Sequence, residues 1–473
     1  MVLTHDGKQK RKAMNSVKNL LWVGGAVLLG GAFAFAPLVA KATQQQVAKV
    51  AAEIQYRPTA VPDRIILNFK SDPATSIAVT WRTDTTVAPG MAIAQIAPVA
   101  AYPKFGEKAD TVKAESTPLE SDLGPAHYHA VEFTGLKPKT AYAYRVGDGT
   151  NWSEWIQYTT ASDKPEPFEF IYFGDAQNDI KSLWSRTVRS AYGDAPNAKF
   201  IIHAGDLINN SDTDEEWAEW HYAGGWVNSM MPSVPSPGNH EYGGRSSKGV
   251  RPGGKGLSDH WKPTFTLPEN GPAGLEETAY YVDYQGARII SLNTQDKVEE
   301  QKVWLDKILA ENPNKWTILT FHRPIYSTAK SRDNKDIRDA WLPIFDKHKV
   351  DLVLQGHDHT YGRSRNMRAG VNVRNDQSGT IYVVSVSGPK MYDLNAENKK
   401  FWMARAAEDT QLYQVIKVDG DKLHYEARTP TGELYDAFVL EKQKSNINKL
   451  VENTPKTPEY LRETTKKNIA EAK

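Results

Sequence analysis

The chain has 473 residues, no cysteine, and 58 Lys+Arg against 57 Asp+Glu. The missing thiols exclude a disulfide scaffold, cysteine-held zinc, iron–sulfur clusters and thiol catalysis. A 40% hydrophobic content with 13 Trp supports a real core and excludes a disordered chain.

Six of the basic residues (Lys8, Lys10, Arg11, Lys12, Lys18, Lys41) and a single acid, Asp6, fall within residues 1–42. The remainder is slightly acidic, so it lacks the excess of cations that many phosphate contacts need, and nucleic acid is not an expected partner. Leu20 to Ala40 carry no charge, and Ala40-Lys41-Ala42 is a small-x-small site suited to a signal peptidase. Residues 1–42 therefore read as a signal peptide cut after Ala42. The competing reading is a membrane anchor, because 21 uncharged residues can just span a bilayer. Both readings put the rest of the chain outside the cytoplasm: secreted, periplasmic, or anchored on the outer side of a membrane. A membrane is a partner only if the segment is retained.

Residues 43–61 read as a polar linker. Residues 62–161 alternate with period two in short runs, such as Ser76-Ile77-Ala78-Val79-Thr80-Trp81 and Tyr142-Ala143-Tyr144-Arg145-Val146, broken by turns such as Gly147-Asp148-Gly149. About 100 residues of this kind predict a small all-β sandwich. The run from Gly135 to Tyr142 resembles the tyrosine corner of fibronectin type III domains, and Trp81 resembles their core tryptophan. His127 and His129 read as a surface pair on an edge strand.

The pattern changes over 167–441. Short apolar runs now stop abruptly in Gly, Asp, Asn or His. Phe170–Phe173 runs into Gly174-Asp175-Ala176-Gln177, and Lys199–His203 into Gly205-Asp206. Ser233–Pro235 precedes Gly238-Asn239-His240-Glu241. Trp316–Phe321 runs into His322, and Val350–Leu354 into Gly356-His357-Asp358-His359. Continuous apolar runs predict strands buried on both faces, with helical stretches between them (182–192, 214–226, 301–311). Loops at the carboxyl ends of such strands carry the chemistry of these folds. Here they offer Asp, Gln, Asn and His, oxygen and nitrogen donors suited to Zn, Mn or Fe. The stretch 357–359 reads as extended, so His357 and His359 face the same way and are offset enough to serve one cation each of a pair.

The order Asp-x-Gln, Gly-Asp, Gly-Asn-His-Glu, His, Gly-His-x-His resembles the calcineurin-like metallophosphoesterases, and the β-domain in front resembles the layout of purple acid phosphatases. The resemblance implies an α/β (α+β) four-layer β-sandwich flanked by helices, and a centre of two divalent or mixed-valence metal ions (Fe, Zn or Mn). It implies that Asp175, Gln177 and His359 hold the first metal, that Asp206 bridges, and that Asn239, His322 and His357 hold the second. His240 falls where the family places a phosphate contact or proton donor. The first motif usually ends in His; Gln177 is a neutral oxygen donor and implies a weaker hold. The tyrosine that purple enzymes carry three residues after the second Asp is Asn209 here.

The implied function is hydrolysis of phosphomonoesters by a metal-bridging hydroxide. A phosphodiesterase on the same site is the close variant, and a surface-tethered binding module with a vestigial metal site is the alternative of another class. Glu241 reads either as an orienting carboxylate or as a turn cap, Arg323 as a phosphate contact or an ion pair, and His203 as packing. Trp217, Trp220 and Trp226 read as helix packing. The glycine-rich stretch 243–259, with Arg245, Lys248, Arg251 and Lys255, reads as a cationic flap or a plain loop. Residues 442–473 read as a solvated, partly helical charged tail.

Overall fold

The computed structural model describes residues 49–243, 245–246, 249–250, 256–444 and 447–471, with the side chains of 245–250 excepted. The signal or anchor segment and the side chains of the four basic residues of the flap reading lie outside what is described. In the 43–61 stretch, Ala52–Gln55 form one helical turn.

Two large sheets organise the described chain. The first has eleven strands, in the order Ile447–Glu452, Leu434–Gln443, Lys422–Arg428, Tyr413–Asp419, Phe168–Phe173, Ile201–His203, Ser233–Pro235, Asp63–Asn68, Ile77–Thr83, Gly124–Phe133 and Glu115–Ser121. The second has seven, in the order Tyr280–Tyr284, Ala287–Ser291, Trp316–Phe321, Leu352–Gln355, Ile381–Val384, Tyr361–Ser364 and Met403–Ala407. Period-two alternation decides which layer each side chain joins. Ile289, Ile318, Leu352, Leu354 and Val383 enter the core shared with Phe170, Tyr172, Ile202 and Ile416 of the first sheet. Their neighbours Ile290, Leu319, Phe321, Val353 and Tyr382 join Leu305, Ile308, Ile337, Trp341 and Phe345 of the helices Gln301–Ala310 and Lys335–His348. Both faces are covered, as the unbroken apolar runs required. The result is a sheet-rich α+β fold with an all-β part at its front.

The front part is a sandwich. The four-stranded sheet Asp110–Lys113, Ile93–Pro98, Ala141–Gly147 and Ile156–Thr159 packs Ile96, Tyr144 and Val146 into one core with Ile66, Val79 and fully buried Trp81. Tyr142 Oη accepts the Lys137 N–H at 2.9 Å, the contact expected of a tyrosine corner. The front part shares its other sheet with the part that follows it. Asp63–Asn68 runs parallel to Ser233–Pro235 with Asn68 opposite Ser233, and Asn68 Nδ2 donates to Ser233 O at 2.9 Å.

A buried ionic cluster fastens the same junction. Arg64 meets both Asp214 oxygens at 2.6 and 2.8 Å, Arg82 reaches Asp214 at 3.4 Å and Asp63 at 2.7 Å, and His260 Nε2 lies 3.1 Å from Asp214. Burial opposes the Asp214 anion, but Arg64 and His260 outweigh it and hold the carboxyl well below its ordinary range.

Three expectations need correction. His129 is fully buried on an interior strand, between Ile77–Thr83 and Glu115–Ser121, with Thr83 Oγ1 and Ser116 Oγ each 2.8 Å from a ring nitrogen; it is not part of an edge pair. The stretch 357–359 is not extended, because His357 and His359 both have positive φ. The tail is not a solvated appendage throughout. Ile447–Glu452 pairs with Leu434–Gln443, Leu450 is buried, and Glu452 meets the buried Arg363 at 2.9 Å. Its polar composition hid a strand that turns one apolar side chain, Leu450, into the core and whose carboxylate neutralises a core arginine. Arg405 adds a bond to Thr457 O at 2.9 Å, and Glu463–Glu471 is helical.

Replacing one member of a buried pair leaves its partner charged and unpaired, which costs about 3–5 kcal/mol. Asp214→Asn should therefore lower the urea-unfolding free energy by about that amount. A loss within about 0.5 kcal/mol, the usual range for surface changes, would show that the cluster is not structural.

Candidate metal centre

The three parallel strands Phe168–Phe173, Ile201–His203 and Ser233–Pro235 of the first sheet end beside Trp316–Phe321, Leu352–Gln355 and Ile381–Val384 of the second. Their loops carry the five motifs to one place. Contact between the sheets is direct: Asp175 pairs with Val386, and its carbonyl accepts N–H bonds from Ser387 at 3.1 Å and Gly388 at 2.6 Å. Such crowding dictates the glycines. At Gly205, with φ at +84°, a Cβ would sit 2.7 Å from His322 Nδ1, and at Gly238 it would collide with the Asp206 carboxylate.

Asp206, His357 and His359 all have left-handed backbone, with φ of +50°, +77° and +48°. Non-glycine residues rarely adopt that conformation, and it persists only where surroundings hold it. The two histidines converge through left-handed turns and not through strand alternation. Asp358 between them turns back to accept the N–H groups of Thr328 at 2.6 Å and Ala329 at 3.2 Å, while Arg332 Nη1 donates to His357 O at 2.8 Å. Asp206 is held by Glu241, which is fully buried and accepts the N–H groups of Asp206, Leu207 and Gly238 at 2.9, 2.8 and 2.6 Å. Glu241 is thus an orienting carboxylate.

The side chains gather as the motifs predicted. Asp206, His322 and His357 offer three ligand atoms within 4.8 Å of one another, and so do Asp175, Asp206 and His359, with Asp206 common to both. Asn239 Oδ1 joins the first group, 3.1 Å from His322 Nε2. Gln177 is buried beside the second group, but its Nε2 faces the cluster, 2.8 Å from Asp206 Oδ2 and 3.2 Å from His359 Nε2. Its Oε1 accepts from Lys390 Nζ at 3.1 Å, so the oxygen expected to reach a first metal points elsewhere. His240 donates its N–H to Asp206 Oδ1 at 3.0 Å, and its Nε2, 3.8 Å from Asp206 Oδ2, belongs to a ring that remains a quarter exposed.

Hydrogen bonding tests whether these atoms suit a cation. His359 Nδ1 donates to Lys390 O at 3.0 Å, which leaves its Nε2 facing inward as a lone pair, and His322 Nδ1 donates to Ala204 O at 2.9 Å, so displacing the Nε2 proton of His322 leaves a second lone pair facing inward. Asp175 Oδ2 and His359 Nε2, 3.1 Å apart, are then acceptors facing each other. Asp175 Oδ2 is buried without a hydrogen-bond donor. A buried cluster of acceptors is stable only with positive charge among them. The donor set therefore fits metal ions.

The titration directions agree. Burial opposes a charged His322, but the Asp206 and Asp175 carboxylates outweigh it and push the imidazole up to about 9. Burial holds His359 down to about 3, and burial followed by the His322 charge depresses His357. Burial and the neighbouring Asp206 anion raise Asp175 to about 7.

A family model for the purple acid phosphatase N-terminal domain matches residues 62–160, and one for calcineurin-like phosphoesterases matches residues 170–361. The chain joins these two domains. It is a metal-dependent phosphoester hydrolase of that class. Similar proteins include an uncharacterized protein of Mycobacterium tuberculosis, 27% identical over 70% of this chain and 70% of its own length. Acid phosphatase type 7 of Mus musculus is 26% identical over 65% of this chain and 72% of its own. The structure of purple acid phosphatase PPD1 from yellow lupin (Lupinus luteus) seeds superposes with a TM-score of 0.68 at 20% identity, covering 82% of this chain and 75% of that one.

Other candidates resolve as packing or pairing. Arg323 Nη2 binds the Asp336 carboxylate at 2.9 and 3.1 Å. Trp217 and Trp220 are fully buried, whereas Trp226 is half exposed. His203 packs against Phe173, Trp184 and Trp220. The sequence reading missed Lys390, Arg332 and Tyr392, whose ring lies 4.5 Å from that of His359 between centroids. Of these, Lys390 and Tyr392 are the pair on one loop, and they follow Gly388 after the apolar run Ile381–Val384, the same run-then-glycine signal that marked the other five loops.

With His322 pushed up to about 9, the metal-free protein carries its proton at neutral pH, and a bound cation must displace it. Metal affinity should therefore fall as pH drops below that value. Calorimetric titration with Mn(II) at pH 7 in buffers of different ionisation enthalpy should report release of about one proton per cation at this position. No dependence on the buffer would contradict the assignment of His322 as a ligand.

Proposed function

We propose that the protein is an exported phosphatase that hydrolyses phosphomonoesters at a centre of two cations. Asp206 carries this reading: its one carboxylate is common to both donor groups, as a bridge between two cations must be. Asp175, Gln177 and His359 were expected on one side and Asn239, His322 and His357 on the other; all but the Gln177 oxygen are turned inward. The acid phosphatases among the relatives support monoesters as the substrate class. Support for export comes from the basic and then apolar order of residues 1–42.

The obstacle to the reaction is bringing an anionic nucleophile to an anionic phosphorus. The chemistry that bound cations supply is neutralisation of the phosphoryl oxygens and acidification of the attacking water, which is where the bridging hydroxide of the expected mechanism would come from. The protein's own part is positional. Glu241 holds the Asp206 loop, and Ala204 O and Lys390 O fix the two histidine tautomers. His240 Nδ1 lies 2.5 Å from Asn209 O, which aims Nε2 at the open side of the cluster. There the protonated ring, with Nδ1–H on Asn209 O, can give the Nε2 proton or a hydrogen bond to the departing oxygen.

Hydrolysis of p-nitrophenyl phosphate should be abolished by EDTA and restored by metal, and bis-p-nitrophenyl phosphate should be the poorer substrate. Activity on neither ester in metal-replete protein would favour a binding module. His240→Ala should lower kcat about 10²- to 10⁴-fold with metal content unchanged. A matching loss of metal would make His240 structural.

Asn209 offers no phenolate, so the metal-replete protein should be colourless. Absorption in the phenolate charge-transfer region would overturn that expectation.

A further inference from the structure

Lys390 makes two contacts at the centre. The loop that carries it is zipped to Asp175 through the Ser387 and Gly388 N–H groups. Its carbonyl takes the His359 Nδ1–H at 3.0 Å, and its ammonium reaches Gln177 Oε1 at 3.1 Å. The second contact fixes the carboxamide. An ammonium can only donate, so the atom facing Lys390 must be oxygen. The other end of the amide faces Asp206 Oδ2 at 2.8 Å and the His359 Nε2 lone pair at 3.2 Å, which accept and so require the NH₂ group. Three partners agree on one orientation, with the ligating atom turned away from Asp175 and His359.

We propose that Lys390 makes the Asp175/Asp206/His359 position the weaker of the two cation sites. It occupies the only ligating atom of Gln177 and sets a fixed positive charge beside the position. A cation entering there must manage with three protein donors or rotate the amide, which would turn the NH₂ group against the ammonium. The Asp206/Asn239/His322/His357 position has four donors, and the nearby Arg332 guanidinium bonds the His357 carbonyl, not a ligating atom. A neutral Gln in place of His would weaken the first position by itself, and Lys390, a residue outside all five motifs, adds to that effect.

This inference rests on the two-cation reading, and its test separates the two. Chelator-stripped full-length protein is titrated with Mn(II) by calorimetry, and metal retained through gel filtration is measured. Wild type should keep one equivalent and bind the second at least about tenfold more weakly. Lys390→Met, which keeps the length of the side chain and removes its charge and donors, should tighten the second equivalent about tenfold or more while leaving the first unchanged. Lys390→Arg should preserve the wild-type asymmetry. Two equivalents of equal affinity in wild type, an unchanged ratio in Lys390→Met, or loss of the first equivalent in that variant would each overturn the inference. Failure of the underlying reading has a different signature: metal-replete wild type would hydrolyse neither nitrophenyl ester, whatever its stoichiometry.

Discussion

A buried, bifunctional carboxylate governs the site. Asp206 is almost wholly shielded from water, yet it is held as an anion: burial opposes its charge, and His322 outweighs that opposition. One oxygen takes the His240 N–H, and the other faces Gln177 and His322. An anion in such a place is tolerable only if donors and positive charge converge on it. Glu241, the left-handed backbone and the missing Cβ at Gly238 are the means by which the chain keeps it there.

The same economy explains why strained backbone collects at the centre. Asp206, His357 and His359 adopt conformations that cost free energy in an isolated peptide. The surrounding strands are buried on both faces and registered against one another, so the scaffold supplies what the loops lose. Coupling between sheets through Asp175 and the 387–388 amides makes the loops mutually supporting.

Much of this was legible because the chemistry lies in residue type and in position after an apolar run. Asp175, Asp206, Asn239, His322, His357 and His359 each follow such a run, and the order of the runs fixed the class of fold. What escaped notice depends on contacts remote in the chain. Lys390 meets Gln177 across 213 positions, and no local pattern announces which end of an amide faces a metal. His129 looked superficial because alternation does not say how many neighbours a strand has. Ile447–Glu452 looked like solvated tail because its decisive side chain, Glu452, is a charge that finds Arg363 only in the folded molecule.

The shared eleven-stranded sheet bears on how this protein can be dissected. A cut between the front sandwich and the rest would strip Ser233–Pro235 of its parallel neighbour, baring a row of amides and carbonyls one loop away from Asn239. It would also strand Asp214 without the arginines that neutralise it. The hydrolase half is consequently no detachable cassette: the non-catalytic β-module is the flank of its scaffold, and any shortened version would need that open margin rebuilt before its chemistry could be compared with that of the whole.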